Sequence, residues 1–451
     1  MKGRQRHRSR RTDGPASGRF FLFVGGPFGP FFRKLARLLQ AEGATVLHIH
    51  MHGADWLDWG FGDAKTYRGH PDDWRSWLTA LLDSEPVTDV VTYGDCGRYS
   101  TVLLEEAESR GLIRHVYELG YVRPYYITLD RNGVNGYSSL PRDPMQYRLA
   151  KEPTVMPATK FGRMMPYHVF HTIAHCLAHY AAKPFFRHYD PNWPSSPLKQ
   201  ALGYLTRVTM DKLTWRRQRK AERDVISGNA PFFLCALQKS GDTQIDEHSR
   251  FRNVVQFINH VTESFANFAP PDAKLVFKAH PLDYGIEPQE TAVRVAGKAN
   301  GVLDRLVFLP TGSLTDLMAA AKGMVTVNST AGLTAALRGL PTAIAGEAFY
   351  KIEGLVSTNG IDGFWTNPKR PDWNIAERFL AVAAAKTQIN GSYYSPRGRQ
   401  MALPVAEERM LARTGDDPEH DLNRRAERKR QEATQESGSG PDTPGARPWL
   451  A

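Results

Sequence analysis

GMVTVNSTAGLTAALRG, residues 323–339, is the stretch from which the fold is read. Met324–Val327 is a short apolar run bounded by turn residues, the pattern of a strand buried on both faces. Asn328, Ser329 and Thr330 follow, then a small-residue helix, Thr330–Arg338, and Pro341–Ile344 begins a further strand. Ser and Thr are favoured helix caps, and the amides at such a helix start, with the helix dipole behind them, form an anion site. An ordinary capped helix carries the same residues, so the turn alone leaves both readings open.

The alternation extends outward in both directions. Upstream, Pro231–Leu237 (PFFLCAL) and Lys274–Lys278 (KLVFK) read as strands, the amphipathic helix Phe251–Phe268 lies between them, and Leu314–Ala321 is helical. The first third repeats the pattern. A strand within 19–29 ends in a glycine-rich turn. Helix Phe31–Glu42 places Phe32, Leu35, Leu38 and Leu39 on one face. Strand Ala44–Met51, helix Trp74–Leu82, strand Asp89–Tyr93, helix Leu103–Arg110 and strand His115–Tyr117 complete the series. Strands alternating with helices predict parallel sheets with crossover helices. The expected fold class is α/β, with two Rossmann-like domains facing a cleft at their strand carboxyl ends. The expected division is a disordered basic leader at 1–18, an acceptor-side α/β domain at 19–215, and a linker at 216–229. A second α/β domain at 230–385 follows, then a segment at 386–410 packing back on the first domain and a disordered tail at 411–451. The turn Gly25–Gly29 lacks both the G-x-G-x-x-G order and any G-K-[ST], which argues against a dinucleotide fold and a P-loop NTPase.

Composition narrows the function. The formal net charge is +11 over 451 residues, and much of the excess sits in the leader and in a cluster from Trp215 to Arg223. Such clusters are either solvated ends or an attraction to an anionic membrane surface. Neither end interleaves aromatic side chains with its charges, so no nucleic acid is expected as a partner. No apolar run approaches the roughly 20 residues needed to span a bilayer. Three cysteines, Cys96, Cys176 and Cys235, show no C-x-x-C spacing. That fits a reducing cytosol and no structural zinc. His171, His175 and His179 share a helix face without a carboxylate among them, and no H-E-x-x-H occurs, so no metal is expected.

Four strand ends carry candidate chemistry. Lys278-Ala279-His280-Pro281 follows KLVF, where a proline displays the imidazole and a lysine adds positive charge; both suit a phosphate, and a plain turn histidine fits as well. Gln238-Lys239-Ser240-Gly241-Asp242 stands at the mouth of the second sheet, where Asp242 is a nucleophile, a base or a turn residue. In the first half, Glu118 lies beside Gly120 and Arg123, and Asp95 occupies the same kind of position one strand earlier. Two strand-end carboxylates facing a phosphate-type site suggest acid/base or acceptor chemistry. His48, His50 and His52 alternate toward Gly53 and Asp55, either as acceptor-side lining or as a partly exposed strand face.

Together these blocks resemble the capsular polysaccharide biosynthesis/export proteins of Gram-negative bacteria, the retaining β-Kdo transferases that start the lipid-linked capsule linker. The resemblance spans about residues 20–394. It rests on GPFGPFF, GDC (94–96), ELGYVRPYYITLD (118–130), GVNGYSSLPRDP (133–144), LQKSGDTQI (237–245), HSRF (248–251), KAHPLD (278–283), VNSTAG (327–332) and GEAFY (346–350). It implies a GT-B-like glycosyltransferase that takes CMP-Kdo as donor and a lysophosphatidylglycerol-type lipid as acceptor, without a cofactor. The location implied is the cytoplasmic face of the inner membrane, among capsule assembly and export proteins that include a chain-extending Kdo transferase. By this similarity Asp242 is the nucleophile and Glu118 the acid/base group. His280, Pro281, Asn328, Ser329, Thr330, Gly332 and Gln238 would hold the donor, with Lys278 and Tyr350 as further donor contacts. Asp95, Arg123, Asp55 and Gly29 would lie on the acceptor side. Rival readings are a GT-B enzyme with another nucleotide sugar, and a non-catalytic export or scaffold protein.

Overall fold

A computed structural model describes residues 14–150, 158–191, 197–240, 245, 248–283, 285, 287–358 and 360–412. Two sheets organise it. The first has the order β3-β2-β1-β4-β5-β6-β12. Its parallel members are β1 (Phe20–Val24), β2 (Thr45–His50), β3 (Ala64–Thr66), β4 (Asp89–Tyr93) and β5 (Ile113–Leu119). Two antiparallel strands, β6 (Tyr126–Asp130) and β12 (Gln388–Asn390), close that edge. The second sheet is wholly parallel and has the order β11-β10-β7-β8-β9. Its strands are β7 (Phe232–Ala236), β8 (Lys274–Lys278), β9 (Leu306–Leu309), β10 (Gly323–Thr326) and β11 (Thr342–Ile344).

Counted within each half, both sheets follow the order 3-2-1-4-5, the doubly wound arrangement in which ligands bind where the winding reverses. The reversal lies between β1 and β4 in the first sheet and between β7 and β10 in the second. Strands covered on both faces must be apolar throughout. All five residues of β1 (FFLFV) and of β7 (FFLCA) are accordingly buried.

The halves share one apolar cluster. Tyr121, Val134 and Tyr147 of the first pack with Phe349, Tyr350, Ile375 and Phe379 of the second. The rings of Tyr121 and Phe349 stack with centroids 3.6 Å apart. Each large side chain removed from water in this way contributes roughly 1.5–3 kcal/mol. Helix Trp373–Lys386 leads back to the first half, where β12 pairs with β6 and helix Pro396–Leu411 packs on helix Phe31–Ala41.

Several boundaries differ from the sequence reading. Residues 216–226, read as the start of a linker, continue the 30-residue helix Pro197–Ile226. Val225 of that helix is buried in the second half's core, with Ala221 packed beside it. Ala16, placed in the leader, is fully buried, and its amide donates to the carbonyl of Glu42 at 3.0 Å. Residues 1–13 and 413–451, most of the expected leader and tail, lie outside the described residues. The strand read at His115–Tyr117 runs on to Leu119, which puts Glu118 inside it.

Candidate functional site

In the second half, the loops after β8, β7 and β10 carry His280, Gln238 and Asn328–Thr330. These strands are neighbours, with β7 in the middle. Adjacent strands lie about 4.8 Å apart, so the three loops open side by side along roughly 10 Å of one sheet edge. Ser329 caps helix Thr330–Leu337, its hydroxyl accepting from the Ala331 amide at 3.2 Å. His280 Nδ1 accepts from the Leu282 amide at 3.0 Å. In the neutral ring that leaves the hydrogen on Nε2 as a donor. Pro281 is exposed beside it, and Asn328 and Gln238 are buried at the strand ends.

The sequence reading missed Asp283 as a support. Its buried carboxylate accepts from the Ser240 amide at 2.9 Å and from the Ser240 hydroxyl at 2.7 Å, tying the loop after β7 to the loop after β8. Asp242 itself lies outside the described residues. A cavity of about 690 Å³ opens beside these loops, roofed by helix Pro197–Ile226 and lined by Arg207, Arg217, Ala279, Asp283 and Pro310 among others.

Two expected donor contacts turn out to be supports. Tyr350 is fully buried, and its hydroxyl donates to the Ser329 carbonyl, so it holds the turn instead of facing the cleft. Gly332 is required beneath it, because a Cβ there would lie 2.4 Å from the Tyr350 hydroxyl. Lys278 is buried and spends its ammonium on the carbonyls of Ala279 at 2.7 Å and Pro310 at 3.4 Å. Burial and the nearby Arg207 lower its pKa to about 8.

In the first half, Glu118 is the penultimate residue of β5, half-buried among Tyr93, Tyr393 and Tyr394. Its Oε1 accepts from the Leu119 amide at 2.8 Å. Burial raises its pKa to about 7, the Asp95 charge adds to the rise, and the Leu119 amide and Arg123 oppose it. A carboxyl group tuned to neutrality takes and returns a proton with equal ease. Arg123 is exposed, with its Nε donating to the Gly120 carbonyl at 3.4 Å.

The other residues expected on the acceptor side, Asp55, Gly29 and Asp95, are buried. The Asp55 carboxylate caps a helix start, accepting from the amides of Met51 at 2.7 Å and His52 at 3.1 Å. Gly29 is buried against His171, whose Nδ1 would stand 2.9 Å from a Cβ at that position. His48, His50 and His52 are buried; His48 and His52 line a small pocket together with Gly29 and Asp55, and His52 packs against His175 and His179 of helix Met165–Ala181. Asp95 is buried too. Its Oδ2 accepts from the Val134 amide at 2.7 Å, and Cys96 Sγ lies 3.2 Å from its Oδ1. Across the cleft, His248 Nε2 approaches Cys96 Sγ to 3.3 Å, so the carboxyl ends of the two sheets face each other.

The model of the capsule polysaccharide biosynthesis protein family matches residues 88–394, which include both strand-end clusters. The chain belongs to this family. Among capsule polysaccharide proteins, it is 30% identical over 383 residues to the capsule polysaccharide export protein KpsS of Escherichia coli, covering 84% of this chain and 97% of that one. It is 29% identical over 393 residues to the capsule polysaccharide modification protein LipB of Neisseria meningitidis serogroup A, covering 83% and 91%. Among solved structures, the β-Kdo 2,7 transferase of Thermosulfurimonas dismutans KpsC aligns over 87% of this chain and 98% of that one, at 15% identity and a TM-score of 0.40. That likeness adds nothing to the topology already described. The two facing doubly wound sheets are themselves the GT-B-like arrangement expected of this capsule family member.

Proposed function

We propose that the protein is a retaining glycosyltransferase that moves β-Kdo from CMP-Kdo to a lysophosphatidylglycerol-type lipid, the first step of capsule linker synthesis. The observation that carries the reading is the side-by-side opening of the loops after β8, β7 and β10 at the point where the second sheet reverses its winding. CMP has one phosphate. The imidazole of His280 and the amides at the start of helix Thr330–Leu337 are donors suited to one phosphate, and they stabilise the departing CMP.

The chemistry is two displacements. The Asp242 carboxylate attacks the anomeric carbon, and the bond to the CMP phosphate breaks with its electron pair on the phosphate oxygen. The acceptor hydroxyl then gives its proton to Glu118 and attacks the same carbon, expelling Asp242. Two inversions leave the configuration retained.

A lipid acceptor requires access to a membrane surface. Helix Met165–Ala181 exposes Phe170, Ile173 and Leu177 on one face. Helix Pro197–Ile226 exposes Leu205, Leu213 and Trp215 ahead of Arg216, Arg217, Arg219 and Lys220. Apolar faces beside cations suit an anionic leaflet. Among the described residues, no helix is long and apolar enough to cross a membrane. The reading therefore puts the protein on the cytoplasmic face of the inner membrane, alongside the capsule assembly and export machinery.

The test is purified protein with CMP-Kdo and a fluorescent lysophosphatidylglycerol, with product mass and anomeric configuration as readout. A β-linked product is expected. Product only from another nucleotide sugar overturns the donor, and near-normal turnover in Asp242→Ala removes the nucleophile.

A further inference from the structure

Asp95, Cys96 and His248 bring three unlike donor atoms to one place. Asp95 Oδ1 lies 3.2 Å from Cys96 Sγ, Cys96 Sγ lies 3.3 Å from His248 Nε2, and His248 Nε2 lies 3.9 Å from Asp95 Oδ1. Two of these residues follow β4 of the first sheet, and the third comes from the second half, 152 positions further along the chain.

Two chemistries use this trio. A nucleophilic relay needs the carboxylate on the imidazole nitrogen opposite the one that faces the thiol. Here thiol and carboxylate both approach Nε2, so a relay is not what the geometry builds. Convergence of sulfur, nitrogen and oxygen on a single point is what a metal ion requires. Zinc takes thiolate at about 2.3 Å and imidazole or carboxylate at about 2.0–2.2 Å. On a tetrahedral ion such donors stand roughly 3.3–3.6 Å apart, and the three separations here bracket that range.

The surroundings fix the donors from behind. The Val134 amide holds Asp95 Oδ2 at 2.7 Å and leaves Oδ1 to the cluster, and the Thr101 hydroxyl donates to the Asp95 carbonyl at 3.1 Å. The His248 carbonyl accepts from the Glu347 amide at 2.7 Å, which pins that residue to the loop after β11. Gly136 gives the ring room, because a Cβ there would lie 2.5 Å from His248 Nδ1. Asp95 is 5% exposed and His248 4%. A carboxylate this deeply buried is costly unless a cation or hydrogen bonds compensate it.

We propose that Asp95, Cys96 and His248 bind one divalent ion of borderline softness, best suited to zinc, and that the ion latches the two halves together across the cleft. Three protein ligands leave the fourth tetrahedral position to an exchangeable oxygen ligand. Cys96 binds as thiolate, so loading releases a proton. The site stands whichever donor sugar the cleft takes.

The test uses the untagged full-length protein, loaded with zinc or cobalt(II) and freed of excess metal by gel filtration. One retained ion per chain is expected, with a thiolate-to-cobalt charge-transfer band in the near ultraviolet. Cys96→Ser should lose the band, and His248→Ala should bind at least about tenfold more weakly, both with native circular dichroism. A chelator should lower the melting temperature of the wild type and leave that of Cys96→Ser unchanged. Failure of the wild type to retain metal overturns the proposal. So does cobalt bound without the sulfur band, which would place the ion among the other histidines.

Discussion

The Tyr350 hydroxyl occupies the space that a side chain at Gly332 would need, 2.4 Å from where its Cβ would stand, and donates to the Ser329 carbonyl. The residue that shapes the phosphate-type turn is thus buried behind it. Gly332→Ala should cost about 1–3 kcal/mol through overpacking and weaken CMP binding with it. Tyr350→Phe should cost about 1 kcal/mol for the lost hydrogen bond. The double variant should recover part of the sum, because removing the hydroxyl makes room for the methyl group. Denaturant melts and the thermal shift given by CMP check the cycle, and full additivity would count against the contact.

Glu118→Gln separates catalysis from stability. Turnover should fall by at least about a hundredfold, as expected for loss of a general base. The wild-type rate should show a limb near pH 7 that the variant lacks. The stability effect has the opposite sign. A carboxyl group whose pKa rises from 4.5 unfolded to about 7 folded makes the protein less stable as pH climbs between those values. The neutral amide carries no such cost. Glu118→Gln should therefore melt higher than the wild type above about pH 7, and the difference should vanish below about pH 4.5.

Acid should weaken the first half through its histidines. Burial lowers His48 and His115 from 6.5 to about 4, in spite of the opposing charges of Asp55 and Asp89. Between pH 6.5 and about 4 the unfolded chain takes up protons that the folded chain refuses, so stability falls as pH falls through that window. Above 6.5 these groups contribute no slope. His48→Phe keeps the stack on Trp59, whose centroid lies 4.4 Å away, and should flatten the dependence in melts taken across the window.

Membrane attachment is testable apart from chemistry. Phe170→Glu with Leu177→Glu changes side chains that are 66% and 67% exposed, so the fold should hold. Co-sedimentation with vesicles containing phosphatidylglycerol should drop several-fold, and salt should weaken the wild-type interaction within a Debye length of about 8–10 Å. Unchanged binding would move the contact elsewhere on the surface.

The parallel strands of both sheet centres were legible because they are continuous apolar runs. β1, β2, β4, β7, β8 and β10 lie where the sequence puts them, within a few residues. β12 was not, since Gln388–Asn390 is three residues long with two polar side chains, and only pairing with β6 makes it a strand. The charged run 216–223 suggested a linker because charge is local, while the packing of Val225 that keeps it helical is not. The strand-end positions of Ser329 and His280 were legible because each turn has a local signature. Contacts made in the fold were not legible: Asp55 with the amides of Met51 and His52, Tyr350 with Ser329, and Cys96 with His248.

The antiparallel strand that β12 adds to the first sheet has a consequence for biosynthesis. The first sheet is interrupted by the second, and is completed only by residues that the ribosome makes after the second sheet's strands. Until Gln388–Asn390 and helix Pro396–Leu411 emerge, β6 presents an unpaired edge and helix Phe31–Ala41 a bare apolar flank. An N-terminal fragment ending before β12 should therefore aggregate when expressed alone, whereas the second sheet is continuous in sequence and has all its strands in place before then.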